Sequence, residues 1–159
     1  DGHSASPRLL FGHGLVYTIT GHRQTELWAI RPDGKGDVTD THLAWRFTRK
    51  EVPKQPSPVL VGDCIYMISN EGYASCVDAL TGEGVWSERI GGNFMASPIY
   101  AGGRLYACSM QGETTVLKTG REFEILAENR LEDGFLASPA VTGNALILRT
   151  KTHLYRIEK

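Results

Sequence analysis

The chain repeats itself with a period close to forty residues, and this repeat restricts what it can fold into. The segment NFMASPIYAGGRLYACS at 93–109 is answered by GFLASPAVTGNALILRT at 134–150, forty-one residues later. Ser-Pro pairs with prolines spaced 51, 40 and 41 residues apart mark four units, at Ser6-Pro7, Ser57-Pro58, Ser97-Pro98 and Ser138-Pro139. A period of this length indicates an array of similar supersecondary units.

Each unit has the pattern of short strands joined by turns. After every Ser-Pro comes an apolar run, a Gly-centred turn and a second apolar run, as in IYA, GG and RLYACS of the third unit. Glycine tolerates the positive φ of a tight hairpin. A third run follows in all units and a fourth in the first three, where it reads LAWRF, GVWSERI and FEILAE. Four short strands per forty residues are typical of a β-propeller blade.

We therefore predict an all-β protein built from four-stranded antiparallel blades. Three blades are complete and a fourth has three strands, so the ring is incomplete within a single domain, 1–159. The predicted blades span about 6–50, 57–92, 97–133 and 138–159. No window shows a sustained helical period of apolar residues, so no helix of consequence is expected.

The first unit is longer than the others because of a polar segment at 31–42. Its three aspartates lack the D-x-D-x-D-G spacing of a calcium loop, which predicts a solvated loop. The three cysteines form no CxxC motif and are predicted to be small buried side chains, with no metal site.

Composition excludes some classes of partner. A formal net charge of -1 argues against general affinity for nucleic acid or for an anionic membrane. No apolar run approaches the roughly eighteen residues of a membrane span. The chain opens DGHSASP without an initiator Met or a signal peptide, so we expect that it begins inside a longer protein.

One stretch identifies a candidate family. The sequence CVDALTGEGVW at 76–86 resembles the tryptophan-docking motif of PQQ-like β-propeller repeats, A-x-D-x-x-T-G-K-x-x-W. Four positions match the motif: Asp78, Thr81, Gly82 and Trp86. The first unit keeps Trp45 after its long loop, whereas the third has Gly120 in place and Leu126 at the tryptophan position. The resemblance implies that Trp45 and Trp86 are docking residues that pack over the neighbouring blade.

The resemblance also allows a test for enzymatic function. Members of the family that bind PQQ have a vicinal disulfide, a tryptophan platform, calcium ligands and a catalytic aspartate. This chain has no Cys-Cys pair and no cluster of Asp and Asn at inner strand ends. We therefore predict no cofactor here. The alternative is a fragment of a PQQ-dependent dehydrogenase, or of another propeller enzyme, whose site lies upstream.

No catalytic residues are predicted from the side chains themselves. Glu122, Glu124 and Glu128 alternate along a predicted outer strand, which is the pattern of a solvated face. The Ser-Pro serines recur with the blade, so we expect them to satisfy backbone groups. The histidines have no fixed spacing, and none forms a recognisable triad.

The favoured function is a non-catalytic module for binding protein. The loops between blades and the loops between second and third strands share one face of a propeller. Candidate partner-binding residues on that face are His3, Lys54, Gln55, Asn93, Phe94, Met95, Asp133 and Phe135. Phe94 and Phe135 occupy the same blade position, and two interpretations are open. Their rings fill the gap between adjacent blades, or they are apolar anchors for a partner.

Open propeller ends are a second candidate surface. The third strand of the fourth blade, His153 to Ile157, has no fourth strand beside it in the sequence. Such an edge is a template for strand addition, so we expect a protein partner or self-association there. By resemblance to the family alone, the expected location is the periplasm or another exported compartment.

Overall fold

The computed structural model describes residues 6–21 and 24–158, and these form fifteen β-strands without a helix. The first sheet contains β1 (Leu10–Gly12), β2 (Leu15–Thr20), β3 (Glu26–Ile30) and β4 (Leu43–Phe47). The second contains β5 (Val59–Val61), β6 (Cys64–Ile68), β7 (Tyr73–Asp78) and β8 (Gly84–Arg89). The third contains β9 (Ile99–Ala101), β10 (Arg104–Cys108), β11 (Glu113–Lys118) and β12 (Ile125–Arg130). The fourth contains β13 (Ala140–Thr142), β14 (Ala145–Arg149) and β15 (Leu154–Ile157).

Strands follow one another in chain order within every sheet, and all pairings are antiparallel. The all-β prediction and the pattern of three four-stranded sheets plus a three-stranded one are confirmed. The first strands of successive sheets lie side by side, since β1 contacts β5 and β5 contacts β9. No helix in the described ranges is long and apolar enough to cross a membrane.

The first three sheets share one irregularity, which fixes equivalent positions in them. Each has a register shift between its third and fourth strands, of the kind a β-bulge produces. Just before the shift, Trp45 pairs with Ala29 and Trp86 pairs with Cys76. In the third sheet Ala127 pairs with Val116 at this point. The residue at the tryptophan position is therefore Ala127, and the prediction of Leu126 was wrong.

The core lies between the sheets, in three clusters. Strand β6 is buried along its whole length because its alternate residues face opposite neighbours. Ile65 and Met67 pack towards the first sheet, while Tyr66 and Ile68 pack towards the third. The third cluster is smaller and consists of Ala96, Cys108, Phe135 and Leu148.

The polar segment at 31–42 is an irregular connection between β3 and β4, as predicted. The backbone N–H of Arg31 donates to the carbonyl oxygen of His42 over 2.9 Å, which closes the segment at its base. The three cysteines are buried and unpaired. Burial raises the pKa of the Cys108 thiol to about 11, and it also raises the pKa of the Cys76 thiol. These thiols stay protonated at neutral pH, which keeps them unreactive.

Candidate partner-binding surfaces

Two donors from the first sheet converge on one carbonyl of the second. The hydroxyl of Tyr17 donates to the carbonyl oxygen of Ala79 over 3.1 Å, and the Trp45 indole N–H donates to the same oxygen over 3.2 Å. Their ring centroids are 5.8 Å apart. Ala79 begins the turn between β7 and β8, so the two aromatic side chains attach the first sheet to this turn.

The second interface repeats this arrangement. The Trp86 indole N–H donates to the carbonyl oxygen of Gly120 over 3.2 Å. The hydroxyl of Tyr66 accepts from the N–H of Gly120 over 2.7 Å, with its ring 6.0 Å from that of Trp86. Burial raises the pKa of Tyr66, which favours the neutral hydroxyl that these contacts need. Each tryptophan thus lies across the boundary to the next sheet.

The motif aspartate holds the turn that receives Trp45. Asp78 Oδ1 accepts from the N–H groups of Leu80 and Thr81 over 3.0 and 3.1 Å. Its Oδ2 accepts from Arg121 Nη1 of the third sheet over 2.8 Å. The Arg121 guanidinium, and then the turn N–H groups, hold the pKa of Asp78 below its ordinary value. Asp78 therefore stabilises its own turn and also joins the second sheet to the third.

The motif glycine provides the surface on which the indole lies. Gly82 has a φ of 77°, and a Cβ there would lie 2.6 Å from atoms of the Trp45 ring. Both the backbone conformation and the close approach require glycine. The motif has two halves: its turn receives the tryptophan of the preceding sheet, and its own Trp86 reaches the following one.

In the turn between β11 and β12, Gly120 has a different role from the one that the sequence motif predicted. Gly120 supplies the carbonyl that corresponds to Ala79, because each is 34 residues beyond its docked tryptophan. The residue in the place of Gly82 is Phe123, whose ring packs edge-on against Trp86 with centroids 5.2 Å apart. The turn between β11 and β12 is one residue longer than the turn between β7 and β8, so Gly120 and Gly82 are not at equivalent positions.

The Ser-Pro serines link the inner strands of successive sheets. The backbone N–H of Arg8 donates to Ser57 Oγ over 3.0 Å. In the same way Ser57 N–H donates to Ser97 Oγ, and Ser97 N–H to Ser138 Oγ, each over 2.9 Å. The expectation that these hydroxyls satisfy backbone groups agrees with this geometry, although the backbone belongs to the preceding unit and not to a local turn.

Loops from two parts of each unit meet on one surface, which we call the loop face. It comprises 54–55, 70–71, 93–95, 110–111, 132–136 and 151–152. Asn70 Nδ2 donates to Gln55 Oε1 over 2.7 Å, and Asn70 Oδ1 accepts from the N–H of Lys54 over 2.9 Å. Gln111 Oε1 accepts from the N–H of Asn93 over 2.9 Å. Asp133 accepts a hydrogen bond from the hydroxyl of Thr152. Side-chain amides therefore hold this surface in place.

The predicted partner-binding residues divide into buried and exposed groups. The rings of Phe94 and Phe135 are buried in the clusters between sheets, so they fill the gap and are not surface anchors. Lys54, Gln55, Asn93 and Asp133 are exposed, and Met95 is 38% exposed. His3 lies outside the described residues.

Sequence reasoning missed several residues that the repeat could have revealed. Leu136 is 52% exposed and lies forty-one residues after Met95, at the same blade position. Tyr17 and Tyr66 recur at the third position of the second strand, and Tyr106 follows them in the third unit. Asn70 and Gln111 have no such periodicity, because they act through loop geometry.

The third interface lacks the aromatic contact of the first two. Tyr106 corresponds to Tyr17 and Tyr66, but Ala127 replaces the tryptophan. A cleft of about 470 Å³ lies between the third and fourth sheets. It is lined in part by Tyr106, Val141 and Ile157. Among the described ranges, no group of three or more His, Cys, Asp or Glu side chains is placed to hold a metal.

The sequence and the fold both resemble known proteins. "Outer membrane protein assembly factor BamB" of Marinobacter adhaerens is 25% identical over 91 residues, which are 57% of this chain and 23% of that protein. The protein of the same name from Burkholderia pseudomallei is 32% identical over 92 residues, or 58% of this chain and 23% of that protein. The chain thus aligns with less than a quarter of the length of these curated relatives.

Solved structures agree on the fold. BamB from Moraxella catarrhalis matches with a TM-score of 0.69 and 12% identity, over 92% of this chain and 40% of that chain. The computationally designed Ika4 protein matches with a TM-score of 0.69 and 13% identity, over 99% of this chain and 94% of that chain. Residues 8–159 also match a family as a whole. On this match, which covers nearly the whole sequence, the chain belongs to the family described as "Outer membrane protein assembly factor BamB".

Proposed function

We propose that this chain is a non-catalytic binding module and that its loop face receives a partner protein. The observation that carries the proposal is the exposure of Met95 and Leu136 at the same position of successive units. Exposed apolar side chains surrounded by polar groups are the usual composition of a binding centre and its rim. Here the polar groups are amides already fixed by hydrogen bonds, so little ordering is needed on binding.

The relatives suggest the setting of this interaction. Their names describe them as assembly factors for outer membrane proteins. We propose that this chain serves the same process, exported to the periplasm, and that the partner is another protein of the assembly pathway. The net charge of -1 and the exposed methionine and leucine favour a protein surface over nucleic acid.

Site-specific photo-crosslinking in the native cell tests the loop face. A photoreactive residue at Met95 or Leu136 is expected to give a discrete cross-linked protein band. The matched control is Leu80, an exposed apolar residue in the turn between β7 and β8, at the other end of the sheet. Equal cross-linking at Leu80, or none at either loop position, contradicts a partner on this face.

A second candidate is strand addition at β15, carried by a different observation. Leu154 is 74% exposed, and the outer edge of β15 has no paired strand among the described residues. An unpaired edge beside exposed apolar side chains accepts an added strand. We propose that a partner strand, or a second copy of the chain, pairs here.

Sedimentation equilibrium across a wide concentration range tests self-association. Leu154→Lys is expected to shift the equilibrium towards monomer, whereas Leu80→Lys is not. A monomer at every concentration, with β15 amides that exchange freely with solvent, contradicts pairing between copies.

The non-catalytic character also needs a direct assay. Titration with PQQ and Ca²⁺, followed by a dye-linked dehydrogenase assay, is expected to give no turnover. Robust turnover contradicts the proposal and favours the enzyme alternative.

A further inference from the structure

A buried polar cluster lies between the first and second sheets. It consists of the buried Glu51 and Ser75 and the half-buried Ser87. Glu51 lies in the connection between β4 and β5 and is 8% exposed, while Ser75 in β7 is 1% exposed. An ionised carboxylate at such a depth requires compensating contacts, because burial removes its hydration.

The pairing of β7 with β8 brings the three side chains together. Ser75 and Ser87 are directly opposite each other, so both project from the same face of the sheet. Val77, two residues beyond Ser75, packs in the cluster shared with the first sheet, which identifies that face as the one towards Glu51. Ser87 Oγ donates to Glu51 Oε1 over 3.2 Å.

Two oxygens of this cluster have no hydrogen-bond partner. They are Glu51 Oε2 and Ser75 Oγ. Within the described part of the chain, no other buried side-chain nitrogen or oxygen lacks a hydrogen-bond partner. Both belong to one interface, and one carries the carboxylate charge. Two unpaired buried oxygens in the same interface indicate that an unseen group is bound there.

No described cation neutralises Glu51. The ammonium of Lys50 lies 3.2 Å from the hydroxyl of Tyr73 and 4.4 Å from the centre of its ring. The Arg49 guanidinium lies 5.4 Å from the ring centre of Phe47. Ion pairs within 4.0 Å among the described residues do not include Glu51.

We propose that this cluster binds a monovalent alkali cation. The ligands are the Glu51 carboxylate and the hydroxyl oxygens of Ser75 and Ser87. One negative charge with two neutral oxygens matches a single positive charge, whereas calcium takes six to eight oxygens, several from carboxylates. The ion joins the segment that leaves the first sheet to two strands of the second.

Thermal unfolding of the whole chain tests the site, with Na⁺ and K⁺ as probes and choline chloride at equal ionic strength as the reference. The unfolding midpoint is expected to be higher in an alkali chloride and to rise with its concentration, because the ion binds only the folded state. Glu51→Gln abolishes this dependence. Ser75→Ala removes no charge and weakens the apparent affinity about tenfold.

Two controls keep the outcome decisive. Glu88→Gln changes an exposed carboxylate of β8 and is expected to leave the cation dependence intact. Arg23 lies outside the described residues, so Arg23→Gln is measured too, and the same dependence is expected. Equal midpoints in all three salts overturn the proposal in favour of bound water. If the Arg23 guanidinium occupied the carboxylate, a cation dependence would appear only in Arg23→Gln, and that result overturns the proposal as well. If Glu51→Gln does not fold, Ser75→Ala alone decides.

Discussion

The first two sheet interfaces and the third are built from the same repeat but are fastened differently. In the first two, a tyrosine and a tryptophan meet a backbone group of the next sheet. In the third, Tyr106 remains but Ala127 replaces the tryptophan. The buried clusters follow this difference: among the described residues, ten are buried at each of the first two interfaces and four at the third. The interface without the tryptophan is thus the one with the smallest buried cluster.

A hydrogen bond to the serine of a Ser-Pro pair links successive sheets at all three interfaces. The serine hydroxyl bond between successive units is 3.0, 2.9 and 2.9 Å long at the three interfaces. The third interface is therefore joined at the Ser-Pro ends of the first strands. The cleft opens at the other end of these strands, beside the turns that connect β9 to β10 and β13 to β14. The inner attachment uses the serine of the Ser-Pro pair, which recurs in every unit, whereas the tryptophan of the outer attachment is absent from the third unit.

The largest expected effect comes from removing a docked tryptophan. Trp86→Ala deletes an indole that packs on Tyr66 and Phe123, and it should lower the free energy of unfolding by about 3 kcal/mol. Trp28 is the matched control, since its indole N–H bonds to Glu26 of its own strand and it belongs to none of the three clusters. Urea denaturation measures both variants. A loss below about 1 kcal/mol for Trp86→Ala means that docking does not hold the sheets together.

Raising the pH is expected to have an effect of intermediate size on the free energy of unfolding. Burial holds the pKa of Cys108 at about 11, above its value of 9.0 in an unstructured chain. The stabilisation is complete below pH 9 and is lost as pH rises through about 11. Between these values the unfolding free energy should fall by about 1.4 kcal/mol per pH unit from this group.

Cysteine variants show which interface causes the loss of stability at high pH. Cys108→Ala should remove this part of the slope up to about pH 11, where the contribution of Cys108 levels off. Cys76→Ala, at the docked second interface, should flatten the curve to higher pH, because burial also raises the pKa of Cys76. Identical curves for wild type and Cys108→Ala between pH 9 and 11 contradict the prediction.

The smallest effect separates two equivalent tyrosines. Tyr66→Phe leaves the N–H of Gly120 without its acceptor and should cost about 1–2 kcal/mol. Tyr106→Phe removes a hydroxyl with no hydrogen bond to the described residues, so a change within about 0.5 kcal/mol is expected. Denaturation of the two variants side by side gives the comparison. Equal losses would show that the third interface is as firmly docked as the second.

The fold was predictable because its signals are local. Each Ser-Pro, each Gly-centred turn and each alternating run can be read within a few residues, and their recurrence defines the sheets. The residues that form hydrogen bonds across the sheet interfaces were only partly predictable. Trp86 and Gly82 stand in a recognisable motif, but the third unit was misaligned at Gly120 and Leu126, because one inserted residue in a turn shifts every later match.

The loop face was predictable as a surface but not in detail. The repeat placed Phe94 and Phe135 at equivalent positions, yet burial of their rings is decided by the space between sheets. The side chains proposed to contact a partner protein are instead those of their exposed neighbours, Met95 and Leu136. The cluster around Glu51 has no sequence signal at all, since its three residues come from a loop and from two different strands.

The sequence by itself determined that this chain forms repeated antiparallel sheets, because strand and turn preferences act over a few residues and recur with the unit. Only the tertiary structure decided which carbonyl each tryptophan meets, which loop side chains reach the surface and which buried carboxylate oxygen lacks a partner. Those outcomes depend on how neighbouring sheets approach each other over distances of a few ångströms. Packing between units sets these distances, and no single unit of the sequence encodes them.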